Sequence, residues 1–131
     1  KEAYRILKPG GRLAIADGFL ERNPGDILEK KRLNNFLKGM ALDNLAEPKK
    51  FENALAETGF KNIKNLDKTE AILPTAVKIA RMSRWSWPLS IVTNSLGLTP
   101  SLLVHNNRAG IDQYYLFRNR LLTYRVFVAE K

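Results

Sequence analysis

Leu13 to Ala16 is an unbroken apolar run set between Gly10-Gly11 and Asp17-Gly18. It is too short for a helix and has no polar residue to alternate, so it reads as a strand buried on both faces, as in a parallel α/β sheet. Lys8-Pro9-Gly10-Gly11 ends whatever precedes it, because proline cannot continue a helix and glycine can take the positive φ of a type II turn. Glu2 to Leu7, with Ala3, Ile6 and Leu7 on one side, reads as the last turns of a helix whose beginning lies before Lys1.

The rest of the chain supplies the partners of such a strand. Asn23-Pro24 predicts an N-cap with proline at the first helical position, and Leu33, Phe36, Leu37, Met40 and Ala41 keep helical spacing to about Leu45. A second helix is predicted from Glu47-Pro48, with Phe51, Ala54 and Leu55 on one face and Gly59-Phe60 as a glycine cap with its hydrophobic partner. Lys61 to Thr69 reads as a strand of uncertain phase, since Ile63 and Leu66 do not keep strict alternation. A helix near Pro74 to Trp85, an irregular stretch through Pro88 and Gly97, and a helix from Thr99-Pro100 to about Asn119, broken at Gly110, form a helical insertion over residues 71–120. Leu122 to Ala129 is the clearest strand, with Leu122, Tyr124, Val126 and Val128 alternating against Thr123, Arg125, Phe127 and Ala129.

Composition and charge exclude several classes. At 131 residues with 44% hydrophobic and 27% charged, the chain has the makings of one packed domain and not of a disordered segment. The absence of cysteine removes disulfides, thiolate metal sites and a cysteine nucleophile, and fits a reducing, cytoplasmic setting. One histidine among scattered carboxylates supplies no metal ligand set. The net charge of +9 favours anionic partners, and between Glu70 and Asp112 there is no acidic residue at all. Trp85 to Asn107 is uncharged and long enough to span a bilayer, but Pro88, Gly97, Pro100 and several polar residues argue against a transmembrane helix. No signal peptide is visible.

The ordered set resembles a known family. Arg5 to Leu13 followed by Ile15-Ala16-Asp17 is similar to the segment entering the fifth strand of class I S-adenosylmethionine-dependent methyltransferases. Leu55-Ala56-Glu57-Thr58-Gly59-Phe60 resembles the helix before their sixth strand, and Leu121 to Lys131 their last strand. The resemblance covers essentially the whole chain. It implies an α/β fold: a three-stranded C-terminal part of a Rossmann-like sheet, the last strand antiparallel between the other two, built from residues 1–70, a helical insertion over 71–120 and a final strand over 121–131. The long apolar insertion, together with Leu66-Asp67-Lys68-Thr69, is similar to the type 11-like branch that methylates tocopherols, sterols and quinones.

That resemblance implies S-adenosylmethionine as cofactor and a small lipophilic acceptor as substrate. The family's glycine-rich loop and ribose-binding acid have no counterpart here, since Gly10-Gly11 precede a strand and do not follow one. The expectation is therefore the substrate-side half of a methyltransferase, with no cofactor-binding residue and no activity alone. A strand edge deprived of its partner would also favour self-association.

Five residues are candidates for the acceptor side. Asp17 follows the buried strand, where it would orient the substrate or accept a proton, or make only a local turn hydrogen bond; Phe19 would line the pocket or cap the core. Trp85 and Trp87 would belong to a lid whose basic flank, Lys78, Arg81 and Arg84, touches anionic headgroups, or to a helix packed on its own core. His105 would serve as a base, or as a hydrogen-bonded helix residue. The rival class is a non-catalytic basic module for a lipid surface or RNA. Lys30-Lys31-Arg32 and Lys49-Lys50 are not interleaved with aromatics for base stacking, so nucleic acid is disfavoured and both runs read as solvated helix faces.

Overall fold

The computed structural model describes residues 1–131. In chain order the elements are α1 (Glu2–Ile6), β1 (Arg12–Leu20), α2 (Ile27–Gly39), α3 (Pro48–Thr58), β2 (Lys61–Asp67), α4 (Thr69–Ser95), α5 (Ser101–Arg118) and β3 (Leu122–Glu130). β3 lies between β1 and β2 and runs antiparallel to both. The α/β class and the central last strand are as expected from the sequence.

The alternation of β3 divides the core into two. Leu122 and Tyr124 face α4 and α5, where they meet Phe36, Leu116 and Phe117. Phe127 and Ala129 face α3, where they meet Phe19, Leu55 and Phe60. On that second face the rings of Phe19, Phe51 and Phe127 pack at centroid distances of 5.0 to 5.3 Å, tilted or edge-on as aromatic quadrupoles prefer. α3 ends as predicted: Gly59 takes φ 105°, its amide donates to the Ala56 carbonyl, and the Phe60 amide donates to that of Leu55.

β1 departs from the sequence reading. It pairs only with β3, and its other edge has no strand beside it. Ala14 and Ala16 are exposed while Leu13 and Ile15 are half-buried, so the apolar run is covered on one face only. α4 and α5 reach the sheet over Gly18, Leu20 and Tyr124, leaving Ala14, Ala16 and Leu66 beyond their cover.

The helices differ in their bounds. α2 starts at Ile27, capped by the Asp26 carboxylate, which accepts from the Glu29 amide at 2.7 Å; Asn23 and Pro24 lie in the preceding turn. It stops at Gly39 because Ala41 takes φ 52°, which lets the Leu42 amide donate to the Leu37 carbonyl and close the end. α4 is one helix of 27 residues that begins before Pro74, where the sequence predicted a helix start, and runs on through Pro88, where it predicted an irregular stretch. A proline inside an isolated helix costs about 3 kcal/mol, and here packing along α5 offsets that cost. α5 passes through Gly110 without a break. A side chain there would collide with the Ser83 hydroxyl, so the glycine is a close-approach point between the two helices.

Asp112 joins α5 to α2. Its carboxylate is 1% exposed, accepts from Asn35 at 2.8 Å and from Arg108 at 3.0 Å, and faces Arg32 at 3.7 Å. The Arg32 guanidinium also lies 4.0 Å from the centre of the Tyr115 ring. Arg32 is thus engaged in packing and does not belong to the solvated face predicted for its basic run. Removing one member of a buried charge cluster strands the others, at a cost near 3 to 5 kcal/mol. Asp112→Ala is expected to lose about 3 kcal/mol, the low end because Arg32 and Arg108 keep partial hydration. Asp112→Asn should lose less because it still accepts from Asn35. Urea denaturation of the two variants checks this, and wild-type stability in Asp112→Asn would contradict the charge argument.

Candidate functional site

An apolar groove of about 540 Å³ opens where α4 crosses the carboxyl-terminal third of β1. Its floor is Asp17-Gly18 of β1 and Tyr124 of β3. One wall is Phe36 and the turn after α2, with Met40, Leu42 and Leu45; the other is Ile72, Ala76 and Ile79 of α4, backed by Gln113 and Phe117 of α5. Gly18 lets the Phe117 ring lie over the strand, in ordinary contact with where a side chain would begin. Ligands of open α/β sheets bind beyond the carboxyl ends of the strands, and this groove lies on that side.

Two polar junctions hold the walls in place. At the start of α4, the Thr69 hydroxyl donates to Asp67 at 2.6 Å and accepts from the Tyr124 amide at 3.0 Å, while Arg120 pairs with Asp67 at 2.7 Å and Glu70 at 2.8 Å. Partial burial works against ionisation of Asp67, but the Thr69 hydroxyl and amide and the Arg120 guanidinium outweigh it and hold its carboxyl below the ordinary value. At the start of α2, Glu29 accepts from Arg22 at 2.6 and 2.7 Å and from the Gly25 amide at 2.8 Å. Arg22 also donates to the Asn119 carbonyl, so the same pair fixes the entrance of α2 to the exit of α5.

The five candidate residues do not converge. Asp17 borders the groove; its carboxylate accepts from the adjacent Gly18 amide at 2.7 Å and has no cationic partner within the chain. Phe19 is 3% exposed and packs with Phe51 and Phe127, so it occupies the core position weighed for it and lines no part of the groove. Trp85 is exposed in a separate shallow cleft beside Arg81, Arg84 and Tyr114. Trp87 is half-buried under the Arg108 guanidinium, 5.1 Å from its ring centre. His105 sits at the crossing of α2 and α5, where its carbonyl leaves no space for a side chain on Gly39. Phe36, Ile79, Phe117 and Tyr124 carry the groove instead. The periodicity marked Phe36 and Tyr124 as inward-facing, but it carries no sign that the core opens between them.

No protein-family model matches this sequence, and no curated protein does. Solved structures do. One is Haemonchus contortus phospholethanolamine N-methyltransferase 2 in complex with phosphomonomethylethanolamine and S-adenosylhomocysteine, with TM-score 0.66 at 16% identity over 98% of this chain. Another is a candidate sarcosine dimethylglycine methyltransferase from Galdieria sulphuraria, with TM-score 0.70 at 18% identity over 99% of this chain. The fold is that of methyltransferases. The chain spans 28% of the length of the first and 45% of the second.

Within this methyltransferase fold, the glycine pair does not form a nucleotide cradle. Gly10 and Gly11 lie at the amino end of β1, where the Gly10 amide donates to the Lys131 carbonyl and the Lys8 carbonyl would stand 2.8 Å from a side chain on Gly11. They close a turn against the end of the chain.

Glu29 gives the fold an acid-sensitive joint. The Arg22 hydrogen bond and then the Gly25 amide lower its carboxyl from 4.5 to about 2. The ionised form is the one the fold holds, so its stabilisation is complete above the unfolded value of 4.5 and is lost as pH falls toward about 2. Urea midpoints of the wild type are expected to fall across that window. Glu29→Gln should start lower at neutral pH and show a shallower fall, and an unchanged slope would assign the acid loss to other groups.

Proposed function

We propose that this chain is the acceptor-binding part of an S-adenosylmethionine-dependent methyltransferase, and that the acceptor is small and lipophilic. The observation that carries the reading is the groove: nine of its thirteen lining residues are hydrophobic, and it opens on the ligand-binding side of a methyltransferase-type sheet. Phe36, Ile79, Phe117 and Tyr124 would enclose the apolar body of the acceptor and exclude water from its reacting end. Asp17 would orient that end from the rim.

The donor is held elsewhere in this reading. The amides of the turn at Gly10-Gly11 are already bonded to the Lys131 and Lys8 carbonyls and offer no donor to a nucleotide, so in this reading the chain alone binds S-adenosylmethionine negligibly and transfers no methyl group. A complete site needs residues beyond these.

One observation favours a second reading for the acceptor. Asp17 is a carboxylate without an ion-pair partner at the edge of the groove, a setting that suits an ammonium group, and both similar structures are named for small amines. The two readings part in a methyl-transfer assay on the protein expressed from its full reading frame, using S-adenosylmethionine with a tritiated methyl group. Prenylated quinols and sterols are expected to yield label that extracts into organic solvent. Ile79→Trp, which fills the groove, should lower kcat/KM by about tenfold or more while leaving the Kd for S-adenosylmethionine unchanged. Label found only on water-soluble amines, with loss on Asp17→Asn and none on Ile79→Trp, would establish the amine reading and defeat the lipophilic one.

A further inference from the structure

Beyond Arg84 and Arg108 the α4–α5 hairpin reverses the usual polarity of a helix pair in water. The surfaces that meet are small or polar along the whole pair: Ala76, Ala80 and Ser83 are buried at its base, where Ser83 occupies the space left by Gly110, and Ser90 is buried in the tip. Several polar side chains of the tip are satisfied within the hairpin, although the buried Trp87 Nε1 has no partner. Ser86 donates to Asn107 at 2.7 Å, the Thr93 and Thr99 hydroxyls share a bond of 2.9 Å, and Asn94 donates to the Thr99 carbonyl at 2.8 Å.

The large apolar side chains point outward. Met82, Trp85, Leu89 and Val92 of α4 and its C-cap Leu96 recur at steps of three and four along one outer face, all more than half exposed, with Trp85 at 83%. Leu98, in the turn that joins the helices, is 72% exposed. No charged side chain occurs between Arg84 and Arg108. Small residues at the helix contact, hydrogen bonds kept inside and large apolar groups outside are the arrangement that suits hydrocarbon surroundings. A water-facing helix pair has the opposite pattern.

Charge selects the occupant. Lys78, Arg81 and Arg84 form a collar at the base of the stripe; none of the three has a carboxylate partner, and no acidic residue lies between Glu70 and Asp112. A second copy docked on the same face brings no carboxylate to these cations, because neither the stripe nor the collar carries one. An anionic surface is complementary instead. No helix of the chain is long and apolar enough to cross a membrane, which limits the contact to the interfacial zone.

We propose that the tip of the α4–α5 hairpin is a wedge that enters the interface of an anionic lipid bilayer. Trp85, Leu89, Leu96 and Leu98 lie among the upper acyl chains, and Lys78, Arg81 and Arg84 meet the headgroups. A helix rise of 1.5 Å per residue makes the segment from Trp85 to Ser95 about 15 Å long, enough to reach below the headgroups when inserted obliquely. The wedge begins where the groove ends, so this inference does not depend on the acceptor reading.

Vesicle sedimentation tests it, with vesicles of phosphatidylcholine alone and of phosphatidylcholine mixed with phosphatidylglycerol. The chain is expected to sediment with the mixed vesicles, less with the neutral ones, and to be released by salt. In a Trp87→Phe background the Trp85 emission should shift to the blue on binding. Leu89→Asp with Leu98→Asp should weaken partitioning by about tenfold or more, because an acidic side chain resists entry into hydrocarbon. Arg81→Glu with Arg84→Glu should remove the preference for anionic vesicles, while Lys49→Glu with Lys50→Glu, on exposed α3, should leave it intact. Circular dichroism confirms that each variant is folded. Failure to bind the mixed vesicles, binding untouched by the tip variants, or a dimer in light scattering that the tip variants dissolve would each overturn the proposal, the last by showing that a second copy is the occupant.

Discussion

The last nine-residue strand is the constraint on which the rest depends. β3 supplies Leu122 and Tyr124 to one half-core and Phe127 and Ala129 to the other, and it makes every strand pairing in the sheet. β1 and β2 never touch, so neither sheet face exists until residues 122–130 are in place. The pairings are long-range: Arg12 stands opposite Glu130 and Leu20 opposite Leu122. A chain closed this late has a high contact order, and its helices have no sheet to pack on before the C-terminus docks.

That order of dependence explains where the groove lies. β3 fixes Tyr124 and, through the Thr69 hydroxyl, the start of α4; Asp112 fixes α5 to α2; the pair of Arg22 and Glu29 fixes α2 to the end of α5. The groove is the space left between three helices that are each tied down at a different point. Its walls come from five elements and its residues from positions 17 to 124, so no local segment carries it.

The sequence was legible where local chemistry decides the outcome. Strict alternation gave β3, and the Gly59-Phe60 cap gave the end of α3. The order of turns and strands carried the resemblance to methyltransferases, whose fold the solved structures share. It was less legible where tertiary contacts override local preference. Pro88 and Gly110 read as breaks, yet both lie inside helices because α4 and α5 pack along their lengths, and Gly110 is small to admit Ser83. Leu13 to Ala16 reads as doubly buried, and one of its faces is open because this chain places no element there. Phe19 follows Asp17 by two and shares its side of the strand, but Phe19 packs into the α3 half-core while Asp17 stays exposed. The ties of Asp112 to Arg32 and Asn35 bridge positions far apart in sequence, and no spacing rule announces them.

The central claim is that an apolar molecule lies in the groove between β1 and α4. Photolysis with a diazirine on a short isoprenoid chain, followed by mass-spectrometric mapping of the adducts, addresses it directly. The account predicts adducts on Phe36 to Leu45 and on Ile72 to Ile79, suppressed by an excess of an unlabelled prenylated quinol. Adducts confined to the hairpin tip, or spread over the surface and indifferent to competitor, would contradict it.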